Sequence, residues 1–248
     1  MRQLVPHRQD FGPKAPIVEA LIDLAANAEL GELRALATDL AGGAYDIVDQ
    51  IAWDVAFKLD HSGASAIQGG ATPRGFMLRS RDGTRAVQLR RDGFTMSHLR
   101  PYQSWTTLLD DARAIWPRFV TCGRVTTLHR IAVRFINRLE LPAGPPLEHW
   151  LALHPQTPPA LQQEPAQFAM QTVHIHPDSR AVGVVNLIQE FREPDQPRVL
   201  LFDIDCYFHQ LSMSAGESTV WNKLTSLREF KNDIFFGSIT PNTEDLFR

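Results

Sequence analysis

The sequence predicts an α+β fold: a mainly antiparallel sheet with helices on one face, built from two similar β-α-β-β-β-α halves. Three observations lead there. Short runs of alternating apolar residues, separated by tight-turn signals, read as neighbouring antiparallel strands. Two long stretches with apolar residues at helical spacing each follow such a group of strands. The order of elements over residues 16–120 then recurs over residues 125–236. The halves, 1–123 and 124–248, are expected to form one compact unit with a pseudo-twofold axis.

Each element has its own warrant. After Pro16, residues 17–24 mix β-branched and apolar side chains and read as a strand. Residues 28–40 place Leu30, Leu33, Leu36, Ala37 and Leu40 at helical spacing, and Gly42-Gly43 supplies the stop. Residues 45–59 alternate, with Ile47, Ile51, Trp53, Val55, Phe57 and Leu59 on one parity. The Gly-, Ala- and Ser-rich residues 63–73 read as a loop. Residues 75–80, 85–90 and 94–99 are short strands, joined at Asp82-Gly83 and Asp92-Gly93, where glycine accepts the positive φ of tight turns. Pro101 opens a helix to about residue 119, and Pro117 suits a final irregular turn.

Residues 125–141 make the clearest strand of the chain. Seven of the 17 prolines then fall between Pro142 and Pro165, around a short helix at 147–153, and Trp150 with its leucines marks an ordered connector. Strands follow at 167–176, 181–191 and 199–208, and a last helix at 217–236, with a break expected near Asn232. The two long helices match best. Trp105, Leu108, Leu109, Ala112, Ile115 and Trp116 in one correspond to Trp221, Leu224, Leu227, Phe230 and Ile234 in the other.

Bulk composition excludes more than it identifies. A net charge of −3 gives no global attraction to nucleic acid or acidic membranes, so any electrostatic site is a local patch. Cys122 and Cys206 stand outside any CxxC motif, and a reducing compartment is the simpler reading. Residues 1–11 lack the apolar core of a signal peptide, and no run reaches the ~18 apolar residues of a membrane span. A cytoplasmic protein without membrane contact is expected.

Three constellations could carry chemistry. Arg130, Arg134 and Arg138 lie four apart in a strand and project from one face, because side chains alternate with period two. Such a ladder suits phosphates, carboxylates or an acidic protein; it equally suits a solvated or salt-bridged face. Arg79, Arg81, Arg85, Arg90, Arg91 and Arg100 precede it. Asp203 and Asp205 share a face in their strand, where they could hold a divalent cation or neutralise the ladder from a neighbouring strand. His174 and His176 form a His-x-His pair, a weak metal candidate needing a third ligand such as Asp203 or Asp205.

No phosphate-binding glycine loop, dinucleotide fingerprint, Gly-x-Ser-x-Gly elbow or His-Glu-x-x-His helix is present. The five tryptophans fall at core positions. A hydrolase, kinase or dehydrogenase of familiar type is therefore not expected, and no cofactor is implied.

Several strings together resemble a known group: Pro16-Ile-Val-Glu-Ala-Leu-Ile-Asp23, Asp92-Gly-Phe-Thr, Leu99-Arg-Pro-Tyr102 with Trp105, Arg134-Phe-Ile-Asn-Arg138, Asp203-Ile-Asp205 and Phe236-Gly-Ser-Ile-Thr240. The chain resembles a sporadically distributed prokaryotic family of uncharacterised proteins of about this length. The resemblance spans nearly the whole chain. It implies a compact cytoplasmic protein in a mobile or defence-related gene context, and brings no catalytic residue.

The expectation is thus a non-enzymatic binding protein. Its arginine-rich sheet face, with Arg100, Arg130, Arg134, Arg138, Asp203 and Asp205, would engage a macromolecular partner, in the first instance a protein encoded nearby. Nucleic-acid binding through the same ladder is the alternative, and a metal-dependent hydrolase using His174, His176, Asp203 and Asp205 the second.

Overall fold

The computed structural model describes residues 11, 14–42, 44–60, 63–161, 163–193, 195–216 and 218–248, with the backbone alone at 49–60 and 63–73. The first half of the chain runs β1 (Ile17–Ala26), α1 (Leu33–Ala41), β2 (Tyr45–Asp60), β3 (Gly63–Ser80), β4 (Arg85–Arg90), β5 (Gly93–Leu99) and α2 (Trp105–Cys122). The second runs β6 (Thr127–Leu141), α3 (Leu147–Trp150), β7 (Phe168–Ile175), β8 (Val182–Gln189), β9 (Arg198–Phe208), β10 (Met213–Ser214), α4 (Thr219–Ser238) and α5 (Pro241–Leu246).

All the strands join one sheet, and every pairing is antiparallel. β1 and β6 pair at its centre. On one side of them come β5, β4, β3 and β2, on the other β9, β8 and β7, while β10 adds a short bridge to β6. Both halves of the chain therefore contribute to one continuous sheet.

Alternation assigns the two faces. In β1, Ala20, Ile22, Leu24 and Ala26 are buried, whereas Glu19, Leu21, Asp23 and Ala25 turn to the opposite side. The buried face packs under α1, α2 and α4. Phe94 of β5 meets Trp116 and Phe119 of α2, and Phe202 of β9 stacks on Phe235 of α4 with centroids 5.5 Å apart. Burying each such ring contributes about 1.5–3 kcal/mol. Trp116 also donates its Nε1–H to the Ala215 carbonyl at 3.0 Å, so its polar atom is satisfied inside the core.

Several boundaries differ from the sequence reading, each for a local reason. The first long helix, α2, starts at Trp105 rather than Pro101, because extended Ser104 caps it, its Oγ accepting the Thr107 N–H at 3.1 Å. α2 then continues through Pro117 to Cys122: the missing N–H removes one bond, but buried Trp116 and Phe119 hold the turn in place. α4 does not break at Asn232, since Lys231, Ile234 and Phe235 anchor that turn to the core. Residues 63–73, expected as a loop, form part of β3, paired by backbone with β2. A backbone ladder needs no large side chains. The facing expected for the alternating 51–59 segment, and the readings at 1–10, Gly43 and Glu217, lie outside the described residues. Among the described residues, no helix is long and apolar enough to cross a membrane.

Candidate functional site on the open sheet face

Cross-strand register lines the uncovered face into rows. One row runs Gln88, Thr95, Asp23, Ala132, Tyr207, Val182 and Ile175 from β4 to β7. The next runs Ala86, Ser97, Leu21, Arg134, Asp205, Val184 and Val173. A third runs Leu99, Glu19, Ile136, Asp203, Asn186 and Gln171. Arginines and aspartates that are distant in sequence thereby meet in the middle of the sheet.

They form a belt of ion pairs. Arg134 grips Asp203 with two parallel bonds, Nε to Oδ1 and Nη2 to Oδ2, each 2.8 Å. Asp203 also accepts from Asn186 Nδ2 at 3.2 Å, and Asn186 Oδ1 accepts from Gln171 Nε2 at 2.7 Å. Arg130 bridges two carboxylates, donating to Asp205 Oδ2 at 2.6 Å and to Asp23 Oδ1 at 3.2 Å. Its guanidinium lies 4.5 Å from the centroid of the Tyr207 ring, a cation–π contact. Asp23 in turn accepts from Arg90 Nη2 at 2.9 Å and Thr95 Oγ1 at 2.8 Å. Arg138 pairs with Glu140 on its own strand.

The electrostatics follow from depth. Asp203 is 7% exposed while its partner Arg134 is 44% exposed, so the carboxylate depends on the arginine and the arginine can fall back on water. The Asp203 hydrogen bonds hold the Arg134 guanidinium above its usual pKa. Burial pushes the Asp205 carboxyl upward, against the pull of Arg130 and Arg134. Its Oδ1 is buried and, among the described residues, accepts no hydrogen bond.

Of the residues the sequence singled out, Arg130, Arg134, Asp203 and Asp205 come together, and the cross-strand pairing open at the sequence level is the arrangement found. Arg138 lies at the margin. Arg100 sits in the turn after β5, exposed, its N–H donated to the Val18 carbonyl; among the described residues its side chain makes no contact with the belt. Among the earlier arginines, Arg90 joins the belt, Arg81 pairs with Asp46, and Arg85 points to the other face, where it pairs with Asp111.

The proposed metal ligands are not brought together. His174 stands opposite Gly183, whose Cα faces Ile234 and Phe230 of α4, and His176 packs edge-on against Phe230 at 5.1 Å. Both histidines lie on the helix-covered side, and Asp203 and Asp205 on the open one. Among the described residues no three His, Cys, Asp or Glu side chains converge as a metal site.

Sequence reasoning missed Asp23, Thr95, Asn186, Gln171 and Tyr207 as members of the belt. Parity could have placed Asp23 opposite the buried Ile22 and Leu24; nothing in the sequence reveals its register with Arg130. A second cluster was also hidden. On the helix side, His98, 3% exposed, bonds through Nε2 to Asp111 Oδ2 at 2.8 Å, and Arg85 reaches the same oxygen at 3.0 Å. Burial pushes the His98 pKa down. This cluster clasps α2 to β4 and β5.

A small cavity of about 30 Å³ opens where α4 crosses the starts of β1 and α2, lined by Pro16, Tyr102, Asn137, Lys231, Phe235 and Phe236. Asn137 spends its Nδ2–H on the Phe202 carbonyl at 3.0 Å, and the Lys231 ammonium lies 4.1 Å from the Phe135 centroid. Comparison with models of known protein families finds no match, and neither does comparison with curated proteins.

Proposed function

We propose that this protein is a non-catalytic binding protein whose open sheet face docks a protein partner. The observation that carries the reading is the composition of that face. Leu21, Ile136, Val184 and Ile188 stand on it among paired charges, on the sheet side opposite the one that α1, α2 and α4 cover among the described residues. A solvated antiparallel face is mainly polar, whereas several apolar positions set together among fixed polar groups suit a docking surface. The belt would present its charges already oriented, which lowers the ordering cost of association.

Charge balance disfavours the nucleic-acid alternative. Arg90, Arg130, Arg134 and Arg138 are each matched by a carboxylate: Asp23, Asp205, Asp203 and Glu140. Phosphate binding draws on uncompensated cations and releases counterions. The metal-dependent hydrolase reading loses its ligands to opposite faces of the sheet.

Two further readings belong to the same proposal. The halves derive from one duplicated unit, a reading supported by the matching orders β5-β4-β3 and β9-β8-β7 on either side of β1 and β6 and by a reciprocal helix contact, although the first half carries β2 as a fourth strand after α1 where three were expected. Arg113 of α2 lies over Trp221 of α4, and Arg228 of α4 over Trp105 of α2. Membership of the sporadic prokaryotic family would place the gene for the partner nearby. The test is capture from host lysate on immobilised protein, with and without nuclease, over a salt series. One protein retained under both treatments supports the reading. Retention of nucleic acid that falls log-linearly with salt overturns it in favour of the alternative.

A further inference from the structure

β7 ends the sheet, and among the described residues its outer edge lacks the charges, proline and bulge that keep edge strands apart. Residues 166–176 contain no Asp, Glu, Lys, Arg, Pro or Gly. β7 pairs with β8 in unbroken register, so no bulge twists it away. Val173 and Ile175 are 59% and 53% exposed.

Its backbone direction follows from the ladder. His176 donates its N–H to Ala181 O at 2.8 Å, just beyond the strand pair. Hydrogen-bonded and non-hydrogen-bonded pairs alternate along an antiparallel ladder. Phe168, Met170, Thr172 and His174 therefore turn their backbone groups toward β8. Ala169, Gln171, Val173 and Ile175 turn theirs outward. The bond from Glu190 N–H to Val199 O gives the same phase on the far side of β8.

We infer that this edge is a self-association strand, and that its occupant is the β7 of a second copy, paired antiparallel about a twofold axis. Charge selects that occupant. Twofold pairing sets a strand against its own sequence, so any charged residue near the axis would meet its like. β7 carries none. One register engages all four outward residues of each copy. Ala169 then faces Ile175 of the partner copy, Gln171 faces its Val173, and Thr172 meets its own counterpart on the axis. The exposed apolar pair is covered, and the two sheets become one with both open faces on the same side.

The test uses the full chain. Sedimentation at about 100 μM, well above a micromolar Kd, is expected to give a dimer. Val173→Pro removes an outward N–H that bonds to no acceptor among the described residues, and proline is tolerated on edge strands; Val173→Lys adds charge beside the axis. Both are expected to be monomers with unchanged circular dichroism. Thr172→Cys is expected to form a disulfide-linked dimer on mild oxidation, with the wild-type chain as control. A monomeric wild-type protein overturns the inference. So does a dimer that survives both Val173 substitutions, or one in which Thr172→Cys stays unlinked. Ile188 stands opposite Ala169 and Val173 shares the open face, so the two proposals are separated by the readout: sedimentation of the purified chain involves no partner, whatever capture from lysate shows.

Discussion

Removing Arg134 should cost more than removing Asp203, although both deletions break the same ion pair. The two ends of the pair differ in depth: the carboxylate is 7% exposed and the guanidinium 44%. Arg134→Met leaves a nearly buried carboxylate with only the Asn186 amide at 3.2 Å. Breaking a fully buried pair costs about 3–5 kcal/mol and an exposed one about 0–1 kcal/mol, so a half-open site should lie near ~2–3 kcal/mol. Asp203→Ala instead strands an arginine that water already reaches, and should cost ~1 kcal/mol. For a chain of this size 1 kcal/mol shifts Tm by about 2–4 °C, so the expected losses are about 4–12 °C and about 2–4 °C. The double variant Arg134→Met/Asp203→Leu should melt above Arg134→Met alone, because no charge is left unpaired. Equal losses, or a larger loss for Asp203→Ala, would refute the argument from depth.

Three other outcomes are expected. Gly93→Ala should destabilise by more than about 2 kcal/mol in thermal melts, because φ is +152° and the new Cβ would lie 2.5 Å from the Leu24 carbonyl oxygen. Native protein should react with a thiol reagent at Cys122 alone: Cys206 is fully buried and its thiol is pushed up to about 12, whereas both should react in denaturant. His98 binds its proton less readily folded than unfolded, so stability should be full above its ordinary pKa of 6.5 and fall as the pH drops below that value. His98→Gln should flatten that part of the stability–pH curve; an unchanged slope counts against the buried clasp.

How legible all this was in the sequence depends on the range of the interaction. Antiparallel strands and helix faces are local properties, and the alternation in β6 or the spacing from Trp105 to Trp116 announces them. The loop reading at 63–73 failed because backbone pairing, which small side chains leave invisible, decided the outcome. The site was half visible for a similar reason. Period two put Arg130, Arg134 and Arg138 on one face and Asp203 with Asp205 on another. Whether the faces coincide depends on the neighbour of β6, and register with β9 is a long-range property. The same blindness let His174 and His176 be grouped with aspartates that lie on the opposite side of the sheet.

The account rests on the open face as the docking surface, and a two-face comparison of capture from nuclease-treated host lysate tests it most directly. Ile188→Asp alters that face at a position 37% exposed, where the fold should be undisturbed, and Glu229→Arg alters the solvent side of α4. The account predicts that a protein held by the wild-type chain is lost with Ile188→Asp and kept with Glu229→Arg. Capture that survives Ile188→Asp and disappears with Glu229→Arg would contradict it.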